Sequence, residues 1–257
     1  VYKTNDVEML HAQYEGRAEG FTYSREGHPN ATVLAKKVDL LEGATGGMMT
    51  GSGMSSITAA FFGLLKAGDH VLGGDQLYGR SLRMMKTELP RFDIDTGFFD
   101  PTDANSLREA IRPNTRMILV EVVSNPTLRV ADMQAIYQIA RETGVLVVVD
   151  NTFTTPRGYR PFDHGADIVL HSVTKLLAGH SDAMLGYVAA QNPAHSQAIW
   201  DVIVTMGLTA SPYDCWMAER GMHSFDLRFE RACKNASIVA TEIAKLPNVL
   251  RVLYPER

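Results

Sequence analysis

Short apolar runs alternate with amphipathic stretches along most of this chain. The runs are rich in β-branched residues, which is typical of strands covered on both faces, and between them apolar residues recur at helical spacing. Asn30 is placed as the N-cap of the first predicted helix. Strands are predicted at 69–73, 93–99, 116–123, 145–149, 166–170 and 185–190, and helices at 31–41, 54–65, 80–88, 103–111 and 132–143. The alternation predicts an α/β domain of three layers around a mostly parallel sheet.

The two ends of the chain depart from this alternation. Residues 1–30 are polar and irregular and end in a cluster of helix breakers, so we interpret them as an extended arm. Residues 31–225 form the predicted large domain. A long predicted helix at 227–246 is followed by a strand-like segment at 248–254. We interpret 226–257 as the start of a second, α+β domain that is truncated, and we expect the chain to be a fragment of a longer protein.

Composition narrows the class of protein. Of 257 residues, 45% are hydrophobic and 21% are charged, which fits a globular chain with a sizeable core. The net charge of −4 gives no excess of basic residues, so nucleic acid is not expected as a partner. The apolar runs are too short to span a membrane. Cys215 and Cys233 form neither a metal-ligand spacing nor a disulfide framework, so we expect no metal site and a reducing, cytoplasmic location.

A loop after the strand predicted at 166–170 carries the first candidate chemistry. It contains Ser172, Thr174 and Lys175. Hydroxyl groups suit a phosphate, and a lysine held beside them can form an imine with an aldehyde. Pyridoxal 5′-phosphate (PLP) has both groups and acts as an electron sink for carbanions. By itself the pattern favours a solvated lysine in an ordinary loop, so the hypothesis depends on groups elsewhere in the chain.

Polar or aromatic groups also follow other strands, on the edge where open parallel sheets bind ligands. Asp150 can pair with a pyridine nitrogen, Tyr78 can stack on a ring, and the Asn125 amide can reach a ring oxygen. Gly53 and Met54 place free N–H groups at a helix N-terminus, which suits a phosphate. Each has an ordinary alternative: a strand end, a rim tyrosine, a turn before proline and a tight turn. Their coincidence at several strand ends favours a PLP site.

Several stretches occur together in the order typical of one enzyme family. They are Tyr23-Ser-Arg25, Gly51-Ser-Gly-Met54, Lys66-Ala-Gly-Asp-His70, Gln76-Leu-Tyr-Gly79, Ser124-Asn-Pro126, Val148-Val-Asp-Asn-Thr-Phe153, Arg160-Pro161, Gly165-Ala-Asp-Ile168, Ser172-Val-Thr-Lys175 and Gly179-His-Ser-Asp182. With these motifs the chain resembles the PLP-dependent trans-sulfuration enzymes of Cys/Met metabolism. That family includes cystathionine gamma-synthases, cystathionine gamma- and beta-lyases, methionine gamma-lyases and O-acyl-homoserine sulfhydrylases. The resemblance covers essentially the whole chain and implies PLP fold type I, the aspartate-aminotransferase-like architecture.

The resemblance also implies roles for individual residues. Lys175 is implied to bind PLP covalently and to move protons, and Asp150 to pair with the pyridine nitrogen. Tyr78 is implied to stack on the ring and to help deprotonate the substrate amine, while Asn125 lies near the ring hydroxyl. The implied phosphate cradle consists of Gly53, Met54, Ser172 and Thr174.

Two further implications concern partners. Tyr23 and Arg25 resemble a pair that enters the phosphate site of a neighbouring subunit. The resemblance therefore implies a dimer of active sites, normally within a homotetramer, and it explains why residues 1–30 are polar. The arginine that holds the substrate carboxylate in this family belongs to the C-terminal domain and is expected to lie outside this sequence.

The family resemblance leaves the reaction open. We favour gamma-replacement or gamma-elimination on a sulfur-containing or O-acyl-homoserine-type amino acid, as in cystathionine gamma-synthases and lyases. Beta-elimination of cystathionine is the alternative, favoured by the stretches at 99–101 and 180–185. Arg80 stands where methionine gamma-lyases have a cysteine, which argues against that activity.

Two alternatives come from other classes of protein. One is a catalytically inactive PLP-fold module with a binding or regulatory role, against which Lys175, Asp150 and Tyr78 count. The other is a nucleotide-dependent oxidoreductase, but the glycine-rich stretch at 51–56 lacks the third glycine of the dinucleotide fingerprint.

Overall fold

A seven-stranded sheet organises the computed structural model, which describes residues 6–255. The strands are β1 (Met48–Thr50), β2 (His70–Gly74), β3 (Asp95–Phe99), β4 (Thr115–Glu121), β5 (Leu146–Asp150), β6 (Ile168–Ser172) and β7 (Gly186–Ala190). Their order across the sheet is β1-β7-β6-β5-β4-β2-β3. Strands β2 to β6 run parallel, whereas β7 is antiparallel to both β6 and β1. The predicted fold class is confirmed.

Helices connect and cover these strands. They are α1 (Val7–Tyr14), α2 (Pro29–Glu42), α3 (Gly53–Leu64), α4 (Gly79–Arg83), α5 (Ala104–Ala110), α6 (Met133–Thr143), α7 (Thr155–Gly158), α8 (Pro193–Thr205), α9 (Pro212–Met222) and α10 (Phe225–Ile243). Helix α4 continues through a π-helical turn at Met84–Glu88 into a 3₁₀ turn at Leu89–Phe92. Among residues 6–255, none of the helices is both long and apolar enough to cross a bilayer.

The core lies in two layers, one on each face of the sheet. Successive residues of a strand point to opposite faces, so Ile118 and Leu119 of β4 are both fully buried but belong to different layers. Ile118 packs in the layer that contains Leu34 of α2, and Leu119 in the layer that contains Phe61 of α3. This double coverage explains why the central strands read as continuous apolar runs.

Local signals set several helix ends where the sequence predicts them. The Asp132 carboxylate accepts a hydrogen bond from the Ala135 N–H at 3.0 Å and caps α6. Gly144 ends the same helix with φ +70°, a left-handed conformation that glycine adopts without a steric penalty.

The start of the chain differs from the prediction in two details. The arm contains a short helix, α1, with no buried residue, so it is not wholly extended. Residues 1–5 of the predicted arm lie outside the described residues. Helix α2 begins at Pro29, and its N-cap is His28, whose Nδ1 accepts from the Ala31 N–H at 3.1 Å. Asn30 is therefore wrong as the N-cap, because a histidine ring fills the capping position one residue before the helix-starting proline.

Two strand assignments also differ. Strand β1 was not predicted, because three residues are too few to show a period and its partner β7 lies far away in sequence. The strand-like segment at 248–254 forms no strand within the described residues, so that prediction is wrong. An apolar segment needs a neighbouring strand to satisfy its backbone groups, and none lies beside this one.

The reversal of β7 determines the shape of the loop at 173–185. Ser172 at the end of β6 pairs in register with Gly186 at the start of β7. Antiparallel neighbours need no crossover helix, so the chain between them stays at the carboxyl end of β6. The segment that contains Lys175 is therefore confined to one edge of the sheet.

Candidate active site

The carboxyl ends of β4, β5 and β6 meet at this edge, and Asp150 lies in the middle. Asp150 pairs in register with Glu121 of β4 and with Leu170 of β6. Its Oδ1 accepts a hydrogen bond from the Thr152 N–H at 3.0 Å. Burial raises the pKa of the Asp150 carboxyl, while the hydrogen bonds from Thr152 and the nearby His171 oppose that rise. The group is poised to pair with a buried cation.

The N-terminus of α3 lies directly against the end of β6. A Cβ atom on Gly53 would lie 2.7 Å from the Ser172 Cβ, so only glycine permits this approach. Ser52 caps the helix through its Oγ, which accepts from the Ser55 N–H at 3.1 Å. The N–H groups of Gly53 and Met54 belong to the first turn and have no intrahelical acceptor. Free N–H groups at a helix N-terminus can bind an anion, and the Ser172 hydroxyl lies beside them.

The two hydroxyl residues before Lys175 differ in what they can offer. The Ser172 N–H donates to Thr152 Oγ1 at 2.7 Å, which ties the β6 end to the loop below Asp150. The Thr174 hydroxyl donates to the Leu185 carbonyl at 3.1 Å and accepts from the Leu185 N–H at 2.9 Å. Its single proton is thus used within the fold, so it has none to donate to a phosphate.

Lys175 projects from a loop that is fixed on both sides. Its N–H donates to the Ser172 carbonyl at 3.1 Å, and its carbonyl accepts from the Gly179 N–H at 2.8 Å. The Arg228 guanidinium of α10 donates to the carbonyls of Leu176 at 2.7 Å and Leu177 at 3.1 Å. The side chain of Lys175 is exposed, and within residues 6–255 no ion pair engages it. Its backbone is held while its amine remains available.

Tyr78 and Asn125 lie at the sheet edge on two loops, and both loops are hydrogen-bonded to the Glu121 side chain. Tyr78 lies just before α4 and is 45% exposed. Its N–H donates to Glu121 Oε1 at 2.7 Å, and the Asn125 N–H donates to Glu121 Oε2 at 3.2 Å. Burial and then the neighbouring charge of Asp150 raise the pKa of the Glu121 carboxyl to about 8, although the two N–H groups oppose the rise.

Comparison with models of protein families assigns the whole sequence to one family. The model of the Cys/Met metabolism PLP-dependent enzymes matches residues 1–257. The chain belongs to this family. The predicted resemblance is therefore confirmed, and the family's cofactor is PLP. The match also removes the basis for a nucleotide-dependent oxidoreductase.

Individual relatives give the degree of similarity within the Cys/Met metabolism family. Cystathionine beta-lyase MetC of Bacillus subtilis is 42% identical over 91% of this chain and 60% of that protein. L-methionine gamma-lyase of Fusobacterium nucleatum subsp. polymorphum is 37% identical over 99% of this chain and 66% of that protein. This chain thus spans less than two thirds of the length of these two relatives.

A solved structure shows the same fold with a cofactor attached. It is a putative O-acetylhomoserine (thiol)-lyase of Campylobacter jejuni, with a TM-score of 0.94 and 26% identity over 99% of this chain and 71% of that one. That structure contains a pyridoxyl-lysine phosphate.

The residues of this chain fit PLP chemically. The close approach of Gly53 to Ser172 leaves helix N–H donors at the edge, Asp150 supplies a partly buried carboxyl group, and Lys175 supplies an accessible amine. These groups come from α3, β5 and the loop after β6, and the sheet brings them to one edge.

The structure places Tyr23 and Arg25 apart from these groups. Arg25 Nη1 donates to the Val204 carbonyl of α8 at 3.2 Å, and its guanidinium lies 5.2 Å from the centroid of the Tyr23 ring. Within one chain, this pair therefore packs on α8 and makes no hydrogen bond to the groups at the sheet edge.

Sequence reasoning missed two buried groups. Glu121 ends β4 just as Asp150 ends β5, but the strand predicted at 116–123 placed Glu121 inside a strand and hid this position. The second group is a set of three: Glu42 Oε1 contacts His171 Nε2 and accepts from Asn151 Nδ2 at 2.8 Å. These three residues are almost completely buried behind Asp150, and their separation in sequence gave no signal.

Proposed function

We propose that this chain carries the cofactor-binding part of a PLP-dependent trans-sulfuration enzyme. The observation that carries the proposal is the convergence of the α3 N-terminus, Asp150 and Lys175 on one sheet edge. In this assignment Gly53, Met54 and Ser172 hold the phosphate, and Asp150 pairs with the pyridine nitrogen. A role for Thr174 at the phosphate stays a prediction, and its bonds to Leu185 count against it.

The residues act around the cofactor in distinct ways. When bound, PLP supplies an electron sink for negative charge at the substrate α-carbon. Asp150, partly buried and anchored by Thr152, keeps a proton on the ring nitrogen. Lys175 Nζ would hold the cofactor and, once free, would accept the substrate α-proton. Tyr78, exposed at the rim, stacks on the ring and takes a proton from the incoming amine.

The substrate is a sulfur-containing or O-acylated amino acid. Gamma-replacement or gamma-elimination, of the cystathionine gamma-synthase or lyase type, is the reaction favoured from the sequence. Beta-elimination of cystathionine is the second candidate, and a specific observation favours it: the beta-lyase relative is 42% identical, against 37% for the methionine gamma-lyase. Arg80 and Ser81 follow Tyr78-Gly79 in place of a cysteine, which counts against methionine gamma-lyase activity.

A product assay on the full-length protein separates these reactions. Both eliminations of cystathionine consume one water. Gamma-elimination yields cysteine, 2-oxobutyrate and ammonia, whereas beta-elimination yields homocysteine, pyruvate and ammonia. O-acyl-homoserine with cysteine tests gamma-replacement, which yields cystathionine and the free acid. A full-length protein that stays colourless with added PLP and turns over none of these substrates contradicts the proposal and leaves the inactive module as the better hypothesis.

Self-association is part of the same proposal. Tyr23 is exposed, and Arg25 is held on α8 by one hydrogen bond to a backbone carbonyl, so both side chains are available to a second copy. We expect a dimer of active sites, assembled as a homotetramer, and light scattering that reports a monomer contradicts this. Cytoplasmic location remains a prediction from the two unpaired cysteines, Cys215 and Cys233, and cell fractionation tests it.

A further inference from the structure

Glu121 is a buried acid at the centre of the candidate site. It is 9% exposed, it ends β4, and it pairs in register with Asp150 on β5. An acidic side chain is seldom buried unless it is hydrogen-bonded or paired with a charge. Within residues 6–255, no lysine or arginine forms an ion pair with Glu121. Its hydrogen bonds must therefore account for its presence.

The two carboxyl oxygens of Glu121 hold two different loops. Oε1 accepts from the N–H of Tyr78, which leads into α4, and Oε2 accepts from the N–H of Asn125, which follows β4. Tyr78 and Asn125 are 43 and 4 residues away from Glu121 along the chain. Glu121 thus links the loops that follow the paired strands β2 and β4, and an Arg129–Asp75 ion pair joins the same two loops.

The charge of Glu121 is coupled to other ionisable groups at the sheet edge. Asp150 faces Glu121 from β5, and His171 faces Asp150 from β6, where it contacts Glu42 of α2. The charge of Asp150 helps to raise the pKa of the Glu121 carboxyl, because two neighbouring carboxyl groups do not both ionise easily. The charge state of Glu121 therefore influences that of Asp150.

We propose that Glu121 is a positioning residue, which sets the loops of Tyr78 and Asn125 relative to Asp150. The inference rests on the proposed function, because that function gives Tyr78 and Asn125 their roles at the cofactor. A carboxyl group suits the task because both of its oxygens can accept an N–H. Glutamine offers one acceptor and one donor, and aspartate is one methylene too short to reach both N–H groups.

The test uses full-length protein with E121Q, E121D and the matched control E109Q. Glu109 is an exposed residue of α5, away from the sheet edge. Hydrogen exchange is measured by mass spectrometry in cofactor-free protein, on peptides covering residues 76–82 and 121–127. Exchange in at least one of the two peptides is expected to be roughly tenfold faster in E121Q and in E121D, because each variant loses a hydrogen bond. E109Q is expected to match the wild type.

A second measurement separates positioning from charge. The visible absorbance of PLP-loaded protein is followed against pH. In E121Q the pH midpoint of the absorbance change is expected to move by about one pH unit, because the ionisable group of Glu121 is lost. E121D keeps an ionisable carboxyl group, so its midpoint shifts less. Unchanged exchange in both peptides of both variants overturns the inference, even if PLP binds. Failure of the wild type to bind PLP contradicts the proposed function instead. If E121Q does not fold, E121D carries the exchange test alone.

Discussion

The two halves of the candidate site are built in different ways. The half formed by α3, β5 and β6 positions Gly53, Asp150 and Ser172 through regular backbone structure and a close helix-to-strand contact. The half that carries Tyr78 and Asn125 consists of loops tied together by the Glu121 side chain. The first half is therefore held by regular backbone structure. The second half is held by side-chain contacts between loops: besides Glu121, the Arg129 guanidinium donates to Asp75, and Thr127 Oγ1 contacts Gln76 Oε1.

This difference fits the tasks proposed for each half. A phosphate and a ring nitrogen need fixed partners, because hydrogen bonds lose strength within a few tenths of an ångström. A ring face and an incoming substrate need groups at an exposed rim, and Tyr78 is 45% exposed. Loops on a rigid scaffold commonly carry such groups.

The largest effect is expected for Lys175→Ala, which removes the exposed amine from the loop after β6. We expect kcat to fall by at least roughly 100-fold, the usual loss for a residue that transfers protons. The pH-dependent visible band of the PLP-loaded protein should disappear as well. The matched control is Lys66→Ala, since Lys66 is exposed and lies beyond the far end of α3. Retention of both activity and the band in Lys175→Ala removes this lysine from the mechanism.

A smaller effect is expected for Gly53→Ala, which compares the two halves directly. The new Cβ would lie 2.7 Å from the Ser172 Cβ and 3.0 Å from its Cα, so α3 and β6 must move apart. Overpacking of this kind costs about 1–3 kcal/mol, so PLP affinity should fall roughly tenfold or more. Gly79 starts α4 in the other half, and a Cβ there meets nothing within 4 Å. Gly79→Ala should therefore bind PLP as the wild type does in a fluorescence titration, and equal affinities of the two variants contradict the rigid contact.

The smallest effect is expected for Thr174→Val, which asks whether this residue belongs to the phosphate cradle. Loss of its two bonds to the Leu185 backbone should lower the free energy of unfolding by about 1–3 kcal/mol, measured with urea. Thr174→Ser keeps the hydroxyl and is the control. We expect PLP affinity to change little in either variant. A tenfold loss of affinity in Thr174→Val without a loss of stability would instead assign the hydroxyl to the phosphate.

The sequence predicted much of the first half of the site and less of the second. Asp150 follows a run of valines, and a position directly after a buried parallel strand is informative wherever the strand lies in the sheet. Glu121 occupies an equivalent position, yet its role could not be predicted from the sequence. Its partners Tyr78 and Asn125 are fixed by loop conformation, which residue types alone specify poorly. Thr174 shows the reverse case, because its residue type suits a phosphate while its hydroxyl proton is donated to the Leu185 carbonyl.

The sequence by itself determined the alternation of strands and helices, the edge of the sheet where the candidate site lies and the family to which the chain belongs. These follow from local patterns, since side-chain periodicity and motif order do not depend on distant contacts. The tertiary structure alone decided that β7 runs antiparallel, that α3 approaches β6 closely enough to require Gly53, and that Glu121 joins two loops beside Asp150. Each of these depends on contacts between residues far apart in the chain, where the energy of packing and of buried hydrogen bonds outweighs local preference.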